Sequence, residues 1–72
     1  MTAMKENDTF ELTRPVDATV IGEHESVVLA PGTVVTVVLV FGDPDKPVAY
    51  EVEAFLSESG KYALATIEAC YR

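Results

Sequence analysis

The residues of this chain best placed to do chemistry are two carboxylates spaced by one, Glu51 and Glu53, in the run Val48-Ala-Tyr-Glu-Val-Glu-Ala-Phe55. Alternate side chains of an extended strand share a face, so both carboxyls project to one side, as a general acid/base pair requires. Carboxylates on an outer strand face are, however, ordinarily solvated, and they discourage edge-to-edge aggregation. The pair therefore reads first as contacts for a basic partner. A small ligand-binding or enzymatic barrel using Glu51, Glu53 and a pocket tyrosine is the competing reading.

The other reactive side chains are isolated. Asp43-Pro-Asp45 could begin a cation site, since hard cations take clustered oxygens, but the spacing of a calcium loop is missing and two turn-forming aspartates explain it. His24, between Glu23 and Glu25, has no Cys, Ser or Asp at motif spacing and reads as an exposed loop residue. Cys70 is the single cysteine, so no intrachain disulfide can form; a nucleophilic thiol needs a base and an electropositive setting, and burial as a small apolar residue is the simpler role. No phosphate loop, nucleophile elbow or zinc signature occurs. The expectation is a protein without catalytic residues, metal or cofactor.

The elements that must position these residues are strands. Phe10 to Arg14 alternates apolar with polar and stops at Pro15; Ala18 to Ile21 and Val27 to Ala30 are short apolar pieces around a polar Gly22 to Ser26 turn. Pro31-Gly32 suits a type II turn, with Pro presetting φ and Gly accepting a positive one. It opens the run Thr33 to Phe41, which is apolar on both faces: Thr33, Val35, Val37, Leu39 and Phe41 on one, Val34, Thr36, Val38 and Val40 on the other. Such a strand needs a curled barrel with something laid over its outside, two packed sheets, or a second subunit. Val34, Val38 and Val40 are the side chains expected to need that cover, either from the Val16 to Val28 segment or from another chain.

Gly42 to Pro47 is the clearest loop, and it joins this strand to Val48 to Leu56 as a hairpin. There Tyr50, Val52, Ala54 and Leu56 face inward, while Glu51, Glu53 and Phe55 face outward. Ser57 to Gly60 is a tight turn, and Lys61 to Ile67 completes a meander in which Ala63 and Ala65 allow close approach of a neighbour. Of the remaining aromatics, Phe41, Tyr50 and Tyr62 read as core or interface packing, whereas Phe55 marks a binding or dimer patch. Helical periodicity is absent throughout. The whole predicts an all-β fold, a small barrel of about five strands with an antiparallel meander in its C-terminal half, as a single domain over residues 9–72 behind a mobile leader, residues 1–8.

With 72 residues there is room for one core, and self-association is an accessible route to extra stability. The net charge of −7 and a pI near 4.3 argue against nucleic acid or an anionic membrane as partner. They favour solubility, a basic protein partner or mimicry of a nucleic acid. The polar start has no signal-peptide core and no stretch is long enough for a membrane span, so a cytoplasmic protein is expected.

Three blocks together, Leu29-Ala-Pro-Gly-Thr-Val-Val-Thr-Val-Val38, Ala49-Tyr-Glu-Val-Glu-Ala-Phe55 and Gly60-Lys-Tyr-Ala-Leu-Ala-Thr-Ile67, resemble a family of small bacterial proteins known as a domain of unknown function. Its pattern runs Leu-x-x-Gly-x-x-Gly-Thr-Val-Val, Ala-Tyr-Glu-Val-Glu-Phe, Gly-x-Thr-x-Ala-Leu-x-Thr-Leu, and the likeness covers roughly residues 10 to 68, its middle block being most specific. The resemblance implies an SH3-like barrel, often carried in mobile gene neighbourhoods, with no established enzymatic activity. Val16 to Val28 is longer and more apolar than the family's connection, and Thr36 stands where a second glycine is common. The expected function is a non-enzymatic interaction module, a homodimer or the acidic antitoxin or immunity member of a gene pair. The acidic nucleic-acid mimic stays beside it, and requires the acids to form one continuous face.

Overall fold

The computed structural model describes residues 4–43 and 45–69. They form an all-β fold of six strands: β1 (Thr9–Glu11), β2 (Val16–Val20), β3 (Ser26–Leu29), β4 (Val34–Asp43), β5 (Lys46–Leu56) and β6 (Lys61–Glu68). All pair antiparallel in a single sheet of order β1-β4-β5-β6-β2-β3. The sheet curls into a half-barrel, consistent with a small SH3-like barrel. The expected C-terminal meander is β4-β5-β6. The strands number six, not about five, because Val16 to Leu29 folds as the β2-β3 hairpin.

That hairpin does not cover β4. It extends the sheet beside β6, with β5 and β6 lying between it and β4, so the segment expected to blanket the outside of the long strand widens the sheet instead.

Curling is possible because the concave side is lined unequally. Leu12, Val35, Val37, Tyr50, Val52 and Ile67 supply bulk, while Ala18, Ala54, Ala63 and Ala65 leave room where β2, β5 and β6 turn toward one another. Ala63 lies opposite Ala54, and Ala65 opposite Val52. Full burial of an aliphatic side chain such as Val35 or Val52 contributes about 1.5–3 kcal/mol.

The phase of β4 changes midway. Val37 pairs with Val52 and Leu39 with Glu51, so Val38 has no partner on β5 and forms a bulge. Before the bulge Val35 and Val37 point into the core; after it the inward residue is Val40, opposite Tyr50, and Leu39 and Phe41 point out. The expected strict alternation is corrected on this point. Val40 packs against the core, and Leu39 and Phe41 join Val34 and Thr36 outside.

Two glycines set the connections. In the Ala30-Pro31-Gly32-Thr33 turn, Gly32 has φ +91° and the Thr33 N–H donates to the Ala30 carbonyl, 3.2 Å, as the type II reading requires. Gly32 N–H also donates to the Leu12 carbonyl, 2.7 Å, and Leu12 N–H to that of Thr33, 2.9 Å, which ties the end of β1 to this corner. Gly42 (φ +92°) sits beside a second bulge, at Val48, and a Cβ there would meet Val48 Cγ2 at 2.7 Å. The predicted six-residue loop is thus shorter: strand pairing runs to Asp43 and Lys46.

Residues 4–8, read from sequence as part of a leader, hydrogen-bond to the sheet. Asn7 N–H donates to the Val37 carbonyl, 2.7 Å, Val37 N–H to that of Asp8, 2.8 Å, and Met4 N–H to Tyr50 Oη, 3.2 Å.

Candidate functional site

The outer face of the sheet carries the predicted site residues. On β5, Glu51 lies between Leu39 of β4 and Thr66 of β6, and Glu53 between Thr36 and Leu64. Both glutamates are half-buried by these neighbours. Phe55, one step further along, is 55% exposed and lies opposite Tyr62, the rings tilted at 58° with centroids 5.1 Å apart. Ile21 continues this row, its N–H donating to the Tyr62 carbonyl at 2.8 Å.

The result is a pair of carboxylates framed by large apolar side chains that the fold leaves in solvent. Val34, Leu39 and Phe41 stand on the β4 side and Phe55, Tyr62 and Ile21 at one end, each at least 38% exposed. Singly exposed apolar residues are unremarkable, but six on one face are a patch of the kind that marks interaction surfaces. Of the six predicted contacts, Glu51, Glu53, Phe55 and Val34 are brought together here. Val38 is half-buried in its bulge, and Val40 points to the opposite side. Leu39, Phe41, Tyr62 and Ile21 are not among the contacts expected from sequence; the bulge that turns Leu39 and Phe41 outward has no glycine to announce it.

Tyr50 and Glu51 are adjacent in sequence and therefore on opposite faces of β5: the tyrosine is buried in the core with its hydroxyl accepting from Met4. Glu51 and Glu53 do not line the groove of about 540 Å³ that opens elsewhere, between β3 and the β5-β6 turn. Asp45 N–H donates to Asp43 Oδ1 at 2.9 Å, so the aspartates cap their own hairpin turn. His24 is exposed in the β2-β3 turn, next to Glu23, whose carboxylate pairs with Lys61. Cys70 lies outside the described residues. Among the described residues no three His, Cys, Asp or Glu side chains are gathered to hold a metal, and no helix is long and apolar enough to cross a membrane.

Comparison of the chain with protein-family models, curated proteins and solved structures found no match.

Proposed function

We propose that this chain is a non-enzymatic interaction module whose outer sheet face docks a basic protein. The observation that carries the reading is the apolar frame around Glu51 and Glu53. The frame provides area to bury, and the two carboxylates select a partner that presents Lys or Arg at the centre of its own patch. A net charge of −7 steers the same class of partner toward the module.

A second copy fits this face less well. In a two-fold symmetric dimer the same patch meets itself, which sets Glu51 and Glu53 of one subunit against those of the other, and like charges in a desolvated contact are costly. A nucleic-acid mimic is also a poorer fit, because the acids of the outer face are interrupted by Leu39, Phe55 and Tyr62, and others lie apart from it, Glu23, Glu25 and Glu58 around the groove and Asp43 and Asp45 at the β4-β5 turn. An antitoxin or immunity protein, the acidic member of a gene pair, is the biological setting the proposal favours.

The test is affinity capture from lysate of the source cells, comparing the wild-type chain with E51K/E53K. A basic protein retained by the first, released by rising salt and lost from the second supports the reading. Equal retention by both, with unchanged circular dichroism, contradicts it.

A further inference from the structure

A second surface, away from Glu51 and Glu53, has the features of a peptide-binding edge. β3 is the last strand of the sheet and, among the described residues, pairs only with β2. Val20 N–H donates to the Glu25 carbonyl at 3.0 Å, which sets the phase of the β2-β3 ladder. Because bonded and non-bonded pairs alternate in an antiparallel ladder, Ala18/Val27 and Val16/Leu29 are bonded pairs. Ser26 and Val28 therefore direct their N–H and C=O groups away from β2, and among the described residues no strand receives them. Neither Lys nor Pro, the usual guards of an edge, occurs within Ser26–Leu29.

The groove of about 540 Å³ runs along this strand, lined by Val27, Val28 and Leu29 and by the flanking Glu25 and Ala30, with the Ser57 to Ser59 turn as its opposite wall. Val20, Val27, Val28, Leu29 and Leu56 make its apolar lining together with Phe55, which it shares with the outer-face patch, and Glu23, Glu25 and Glu58 make its acidic rim. Lys61 is the one cation among the lining residues, and it is already paired with Glu23. A free strand edge thus coincides with an apolar groove of net negative charge.

We infer that β3 accepts an extended basic segment of a partner protein as a seventh strand. Main-chain bonds to Ser26 and Val28 hold the segment, as in other strand additions. Its alternate side chains divide between the groove, where an apolar residue meets Val27 and Leu29, and the rim, where Lys or Arg meets Glu25 and Glu58. The charge of the rim selects such a segment over a second copy of β3, whose turn would bring Glu23 and Glu25 toward the same rim.

The test uses a fluorescein-labelled ten-residue peptide of alternating Lys and Val, titrated with the intact chain and followed by anisotropy and by amide shifts. Binding is expected with the largest shifts at Ser26 to Leu29. Val28→Pro removes an outward N–H that the β2 ladder does not use, a position where an edge strand tolerates proline, and should weaken binding at least tenfold. N-methylation of alternate peptide amides should do the same on the wild-type protein, which keeps the test decisive if Val28→Pro fails to fold. E25Q/E58Q should weaken binding and flatten its salt dependence, whereas E51K/E53K should leave the shift pattern on β3 in place, separating this site from the outer face. No binding at millimolar protein, an affinity indifferent to N-methylation, or β3-mediated dimerisation in place of peptide binding overturns the inference.

Discussion

Leu39 of β4 stands directly opposite Glu51 of β5 on the outer face of the sheet. Regular alternation from Val37 would have turned Leu39 into the core. The extra residue at Val38 reverses the phase, places Val40 inside instead, and adds a large apolar side chain next to a carboxylate where both meet solvent. The patch proposed as the docking face thus depends on a local backbone irregularity.

This phase reversal predicts an asymmetry between neighbours. Val40→Thr puts a hydroxyl on a side chain packed against the core and should cost about 1–2 kcal/mol. Leu39→Thr alters an exposed position and should stay within about 0.5 kcal/mol. Urea unfolding of the two variants measures the difference, and equal losses would mean that the strand alternates without the bulge.

Gly42 predicts a second contrast. Gly42→Ala meets both a positive φ and the Val48 side chain and should cost roughly 2–3 kcal/mol. Gly22→Ala meets the same kind of φ with open space around it, so only the backbone penalty, about 1 kcal/mol, should remain. In a domain of this size each kcal/mol moves the melting temperature by about 4–8 °C, which calorimetry resolves.

Charge at the outer face sets the third expectation, about self-association. Light scattering at neutral pH should give the 7.8 kDa mass of one chain. E51Q/E53Q removes the repulsion between facing patches while keeping the apolar frame, and should raise the dimer fraction at high concentration. A wild-type dimer dispersed by E51K/E53K would assign the face to a second copy.

Much of this architecture was legible in the residues. Pro31-Gly32 announces its turn because the backbone there demands a positive φ that glycine accepts, and Tyr50 to Phe55 declares its two faces because its polar and apolar residues alternate cleanly. β4 is harder: with Val, Leu and Phe on both sides, nothing in the pattern marks where alternation slips, and the bulge is fixed by the partners Val52 and Glu51 across the ladder. The same holds for Val16 to Val28, whose hairpin docks on β6 through Thr19 and Val20, a long-range pairing that local propensity does not encode. Glu51, Glu53 and Phe55 could be placed together from spacing alone. Leu39, Phe41, Tyr62 and Ile21 join them only once three further strands are in register.

Site-specific photo-crosslinking in source cells tests the central claim most directly. A photoreactive residue replaces Thr66, exposed on the outer face opposite Glu51, and in a control replaces Asp45 at the distant hairpin turn. The account predicts an adduct from position 66 to a protein whose crosslinked segment is rich in Lys or Arg, absent from position 45 and lost in E51K/E53K. Adducts of equal yield from both positions, or from position 66 to a second copy of the chain, would contradict it.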